Sequence, residues 1–145
     1  MKEKGIIERV NRFYEYLGLL EDLAQKDLDT FMKSPYLQLS AERLLHLSIE
    51  ILLDLGNYLI NALSLPKPST YAEIFKILCE HDILPRDMMN SLMDMARFRN
   101  VLVHGYIAID KKRVYEILVD NLDMLKYTAE KIIYRLDELE EKKKR

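Results

Sequence analysis

Cysteine occurs once in this chain of 145 residues and tryptophan not at all, while glycine and proline number four each. A lone Cys79 cannot close an intramolecular disulfide, so no disulfide framework holds this fold, and that usage fits a reducing cytoplasm. So few glycines and prolines leave little material for the turns of a many-stranded sheet, which points to helices. Nowhere does an apolar run approach the roughly 20 residues of a membrane span. The start, Met1-Lys2-Glu3-Lys4, carries charges into Ile6-Ile7-Glu8-Arg9 and does not read as a secretory leader. Neither sign of charge dominates: the formal net charge is −2, which argues against generic coating of nucleic acid. There is no Gly-rich phosphate loop and no Ser-His-Asp arrangement. Cys79 and His81 are too few to ligate zinc, so neither a metal nor a cofactor is expected.

What is present is helical periodicity. Hydrophobic residues make up 49% and charged residues 32% of the chain, the balance of one globular domain spanning residues 1–145. Five helices can be read. Ile6, Val10, Phe13, Leu17, Leu20 and Ala24 recur at three- and four-residue steps, which predicts a first helix from about Glu3 to Leu28. Ser34 and Pro35 suit the cap and first turn of a second helix, running to about Leu63. That segment is apolar around much of its circumference and reads as the central helix. Pro66-Lys67-Pro68-Ser69 ends it. Thr70-Tyr71-Ala72-Glu73 then reads as a capping box for a third helix ending near Glu80. Pro85 opens a fourth to about His104, terminated by Gly105. Asp110 caps a fifth from Lys111 to about Glu140, leaving Lys142 to Arg145 as a frayed basic tail. The expected architecture is an all-α, up-and-down bundle.

The chemistry concentrates where the fourth helix runs out, in Arg99-Asn100-Val101-Leu102-Val103-His104-Gly105-Tyr106. Arginine offers a planar, permanently charged fork that fits phosphate, and histidine can give or take a proton near neutral pH. Residues five apart on an α-helix stand roughly 140° apart around its axis. Arg99 and His104 therefore flank a ridge rather than share a face. A symmetric partner helix packed on that ridge would bring the two pairs into one cleft, so a composite site in a homodimer is expected. Asn100, four residues before His104, is placed to orient it. Tyr106 carries a phenol that titrates near pH 10, better suited to positioning or to accepting a modification than to acting as a base. Arg97, Arg99, Lys111, Lys112 and Arg113 stand against Asp110 alone in residues 97–113, a local +4 that marks Arg97, Lys111, Lys112 and Arg113 as phosphate contacts. A polar stripe of His46, Glu50, Asp54, Asn57 and Asn61 runs along the second helix. It reads as a structural or interface face in preference to a partner for the basic groups or a lining of the cleft.

Arg99, His104 and Tyr106 in that spacing, the Arg99-to-His104 run, Asp110 and Arg113-Val114-Tyr115-Glu116 make the chain resemble the HepT-like group of HEPN ribonuclease toxins. So do Leu37-Gln38-Leu39-Ser40-Ala41-Glu42-Arg43 with Ile49-Glu50 and Asp54, and the Pro-rich turn before Tyr71. The resemblance covers nearly the whole chain in order. It implies a homodimeric, metal-independent endoribonuclease acting on RNA in the cytoplasm, with no membrane attachment. It further implies a toxin whose antitoxin is a small MNT-type nucleotidyltransferase that transfers AMP to the motif tyrosine, here Tyr106. Two other readings compete: a non-catalytic module that binds nucleotide or docks onto a nucleotidyltransferase, and a purely structural helical adaptor. The intact Arg99 and His104 favour the enzyme.

Overall fold

The computed structural model describes residues 4–105 and 109–144. Within them the chain is all helical, with seven α-helices and one 3₁₀ turn: α1 (Lys4–Ala24), α2 (Leu28–Lys33), α3 (Pro35–Ala62), α4 (Tyr71–Glu80), the 3₁₀ turn Arg86–Met88, α5 (Met89–His104), α6 (Lys111–Asp120) and α7 (Leu122–Lys143). The central helix is α3, as expected, and it packs against each of the other six. Leu45, Ile49, Leu52, Leu55, Leu59 and Ile60 of α3 are fully buried, joined by Phe13, Phe31 and Phe75 from its neighbours.

Seven helices replace the expected five: the first expected helix stops short and a separate helix, α2, fills the stretch before α3, while the last expected helix is divided in two. The first breaks after Ala24. Asp27 adopts an extended conformation and its carboxylate accepts the Thr30 N–H at 2.8 Å, starting α2 afresh. Phe31 fills the core from α2 and packs on Tyr115, whose hydroxyl donates to the Lys26 carbonyl at 2.7 Å. The last expected helix is cut at Asn121, which ends α6 and begins α7. The basic tail is not frayed up to Lys143: α7 extends through that residue, and the Lys144 N–H still bonds the Glu140 carbonyl.

Caps elsewhere fall where the residues place them. Ser34 accepts the Leu37 N–H and Pro35 opens α3. Thr70 accepts the Glu73 N–H, but the Glu73 carboxylate reaches back past the cap, to the N–H and hydroxyl of Ser69, both at 2.7 Å. Helices α3 and α4 end in the same way. Ser64 and Asp82 take up left-handed backbone (φ 55° and 59°), so that the Leu65 and Ile83 N–H groups reach back to the Ile60 and Leu78 carbonyls. Glycine is the usual residue at this position; without it, both stops still fall within a residue of the expected Leu63 and Glu80.

One glycine sets a helix separation. A methyl group on Gly56 of α3 would lie 2.9 Å from Cγ2 of Ile74 and 3.1 Å from Cδ1 of Leu78. The bare backbone lets α4 lie close against α3.

Candidate active site

Arg99 is the centre of the candidate site. Its side chain is only 11% exposed, and its Nε and Nη2 both lie 2.5 Å from one oxygen of Glu50 on α3. Nη1 donates to the Asn100 side-chain oxygen at 3.1 Å. The guanidinium stacks 4.7 Å above the ring of Tyr71, the first residue of α4. Three helices thus fix one cation. A guanidinium has five N–H donors, and these contacts leave one on each terminal nitrogen for an anion.

Behind Glu50, one turn earlier on α3, His46 Nε2 lies 3.7 Å from the same Glu50 oxygen, and Nδ1 lies 3.3 Å from Arg43 Nη1. A guanidinium only donates, so Nδ1 accepts and neutral His46 carries its proton on Nε2, facing Glu50. Burial holds the His46 pKa below its ordinary value, with the positive charge of Arg99 next in effect and that of Arg43 adding to it, against an upward pull from Glu50.

His104 is the last residue of α5, exposed, with no hydrogen-bond or ion-pair partner among the described residues. Asn100 engages Arg99 and not, as expected, His104. Tyr106 lies outside the described residues. Of the other expected phosphate contacts, Arg97 pairs with Asp94 at 3.0 Å and Lys111 with Glu42 of α3 at 2.6 Å. Lys112 and Arg113 are exposed, their backbone N–H groups accepted by Asp110 as α6 begins. Arg97 is thus matched by a near neighbour in sequence, and Arg99 and Lys111 by acidic groups of α3 that the fold brings in.

The polar stripe on α3 holds the residues that the sequence reading ranked too low. Glu50 partners the basic group of α5, and Asp54 pairs with Arg9 of α1 at 3.2 Å. Asn57 and Asn61 line a groove of about 400 Å³ together with Tyr71 and Asn100, directly beside Arg99. The legible signal was the near-regular four-residue spacing of the stripe. What the spacing does not encode is that α5, from 49 residues downstream, crosses it at Glu50. Among the described residues no cluster of three or more His, Cys, Asp or Glu side chains is arranged to hold a metal, and no helix is long and apolar enough to cross a membrane.

Comparison with known proteins gives this geometry a setting. The profile of the family described as "Ribonuclease HepT-like" matches residues 13–132. The chain belongs to that family. A HepT from Aphanizomenon flos-aquae, named as a tRNA nuclease, is 29% identical over 109 residues, covering 75% of this chain and 72% of that one. YutE from Bacillus subtilis is 28% identical over 116 residues, 80% of this chain and 77% of that one. Its solved structure, described as that of a cytosolic protein, superposes with a TM-score of 0.79 over 94% of this chain and 92% of that one. A HEPN toxin from Shewanella oneidensis, solved tri-AMPylated and in complex with its MNT antitoxin, shares the fold at a TM-score of 0.81 and 19% identity, covering 91% and 98% of the two chains. In this HepT-like chain α5 holds Arg99 against α3 and α4.

Proposed function

We propose that this HepT-like protein is the endoribonuclease toxin of a toxin–antitoxin pair and cleaves RNA without a metal, at a site composed across a homodimer. The carrying observation is Arg99, locked by Glu50, Asn100 and Tyr71 with two N–H donors to spare, on the same helix as the unpartnered His104. In this reading one phosphate oxygen of the RNA binds the two remaining donors of Arg99. The ribose 2′ oxygen attacks the adjacent phosphorus, and the bond to the 5′ oxygen of the next nucleotide breaks. His104 takes the 2′ proton or supplies the proton that the departing oxygen needs; the product is a 2′,3′-cyclic phosphate and a free 5′ hydroxyl. A positioned proton-transfer group is worth roughly 10²–10⁴-fold, and Arg99 stabilises the charge that builds on the phosphate oxygens. Arg99 and His104 flank the ridge of α5, and Val101 between them is 45% exposed, an apolar surface for a partner helix to cover. The tRNA nuclease name of the Aphanizomenon relative supports the substrate class.

Incubation with bulk RNA in EDTA tests the reading. Cleavage is expected to persist, to fall at least a hundredfold in His104→Ala, and to be poorly supported by Arg99→Lys, whose ammonium cannot replace the fork. Cleavage abolished by EDTA and restored by a divalent ion overturns it.

Control of the site is assigned to Tyr106, as the acceptor of AMP from an MNT-type nucleotidyltransferase antitoxin. The Shewanella toxin was solved AMPylated and bound to such an antitoxin. AMP on Tyr106, two residues beyond His104, would set a phosphate and a base beside the reacting groups and block RNA. Co-expression with the cognate nucleotidyltransferase is expected to add AMP mass to the peptide containing Tyr106. AMP on another tyrosine, such as Tyr115, or none at all, refutes the assignment.

A further inference from the structure

The groove beside Arg99 is lined mostly by side chains that the cleavage chemistry does not use. Asn57 and Asn61 stand one turn apart on α3, and Asn100 faces them from α5. Among the described residues the Asn57 and Asn61 amides make no side-chain hydrogen bond, and Asn100 commits only its oxygen, to Arg99. A primary amide presents a donor and an acceptor side by side, the pattern that reads the edge of a nucleobase. The Tyr71 ring forms another wall, shared with Arg99, and Lys67 is the one cation in the lining. No carboxylate lines the groove to repel a nucleic-acid strand, and its volume of about 400 Å³ suits a small ligand.

We infer that this groove is a base-reading subsite, which takes one unpaired nucleobase of the RNA next to the phosphate held by Arg99 and gives the protein a sequence preference. Single-stranded RNA is read in this way, by splayed bases set against aromatic rings and hydrogen-bonded along their edges. Asn100 and Tyr71 belong to both the groove and the Arg99 cluster, so a base in one and its phosphate at the other are neighbours along the strand. Lys67 is placed for the next phosphate, a contact that carries no sequence information.

The inference rests on the reading of Arg99 as the phosphate-holding group, and its test separates the two. Binding is measured with full-length His104→Ala protein, so that no cleavage intervenes, by fluorescence anisotropy of labelled oligo(A), oligo(C) and oligo(U). One homopolymer is expected to bind at least fivefold more tightly than the other two. Adding Asn57→Ala and Asn61→Ala, both exposed positions on a helix that alanine favours, is expected to remove that preference with a loss of roughly five- to 150-fold for the favoured strand. Lys67→Ala is expected to weaken all three alike and to lower the salt dependence. Equal binding of the three homopolymers, no binding, or a preference that survives the double substitution overturns the inference. If wild-type protein leaves RNA uncut while the preference and its loss are observed, the cleavage reading fails and the base-reading subsite stands. If RNA is cut and the double variant cuts it with the same base preference, the subsite fails and the cleavage reading stands.

Discussion

The Arg99 guanidinium is held on three sides by the fold itself, so its fork would lose little freedom on taking the phosphate proposed for it. Its position in the motif was legible in the sequence because Arg, four residues, His, one residue and Tyr is a local pattern. Its partners were not. Glu50 precedes it by 49 positions, and Tyr71 opens a different helix. His46 belongs to the same network and carries a pH signature. With its pKa depressed in the folded protein, the folded state resists a proton that the unfolded chain accepts near pH 6.5. Above that value both states are neutral and His46 contributes no slope; as pH falls through it, stability is lost. Urea unfolding at pH 7.5 and 5.5 is therefore expected to show a loss at the lower pH that is smaller in His46→Gln. An equal loss in the variant would show that other groups carry it.

At the scale of elements, the sequence placed every long helix, because apolar spacing reports which face is buried. Ser34, Thr70 and Asp110 also capped where expected. It carried the first helix to Leu28, left α2 unread beyond that residue and merged α6 with α7, since Asp27 and Asn121 interrupt the chain without the glycine or proline that usually announces a break. A mutation at the α3–α4 contact tests how tightly these elements are fitted. Alanine at position 56 gains about 1 kcal/mol of helix propensity over glycine, but its methyl group would press on Ile74 and Leu78, and overpacking costs about 1–3 kcal/mol. Gly56→Ala is expected to be a net loss of about 1 kcal/mol, or about 3 °C in a thermal melt. A higher melting temperature would mean that the two side chains move aside freely.

For the whole molecule, the charge pattern was the least faithful guide. The local excess of cations in residues 97–113 is met by Asp94, three residues before Arg97, and in space by Glu50 and Glu42, which the sequence keeps far from Arg99 and Lys111. Assembly gives a sharper test. In solution the protein is expected to have twice the 17.2 kDa mass of one chain by light scattering. Mixing Arg99→Ala with His104→Ala protein, each inactive alone, is expected to restore roughly a quarter of the wild-type rate, since random pairing makes half the dimers mixed and each mixed dimer rebuilds one of two shared sites. No recovery after confirmed subunit exchange would place the whole site within one chain. Gly56 has a consequence at this scale too. Ile74, against which it packs, forms part of the wall of the groove beside Arg99, and Tyr71 lies one turn earlier on the same helix. The aperture of that groove is therefore set from behind, by a residue that never meets a ligand. If the groove reads a base as inferred above, a single interior methyl group at position 56 would change which RNA is accepted while every residue facing the strand stays the same.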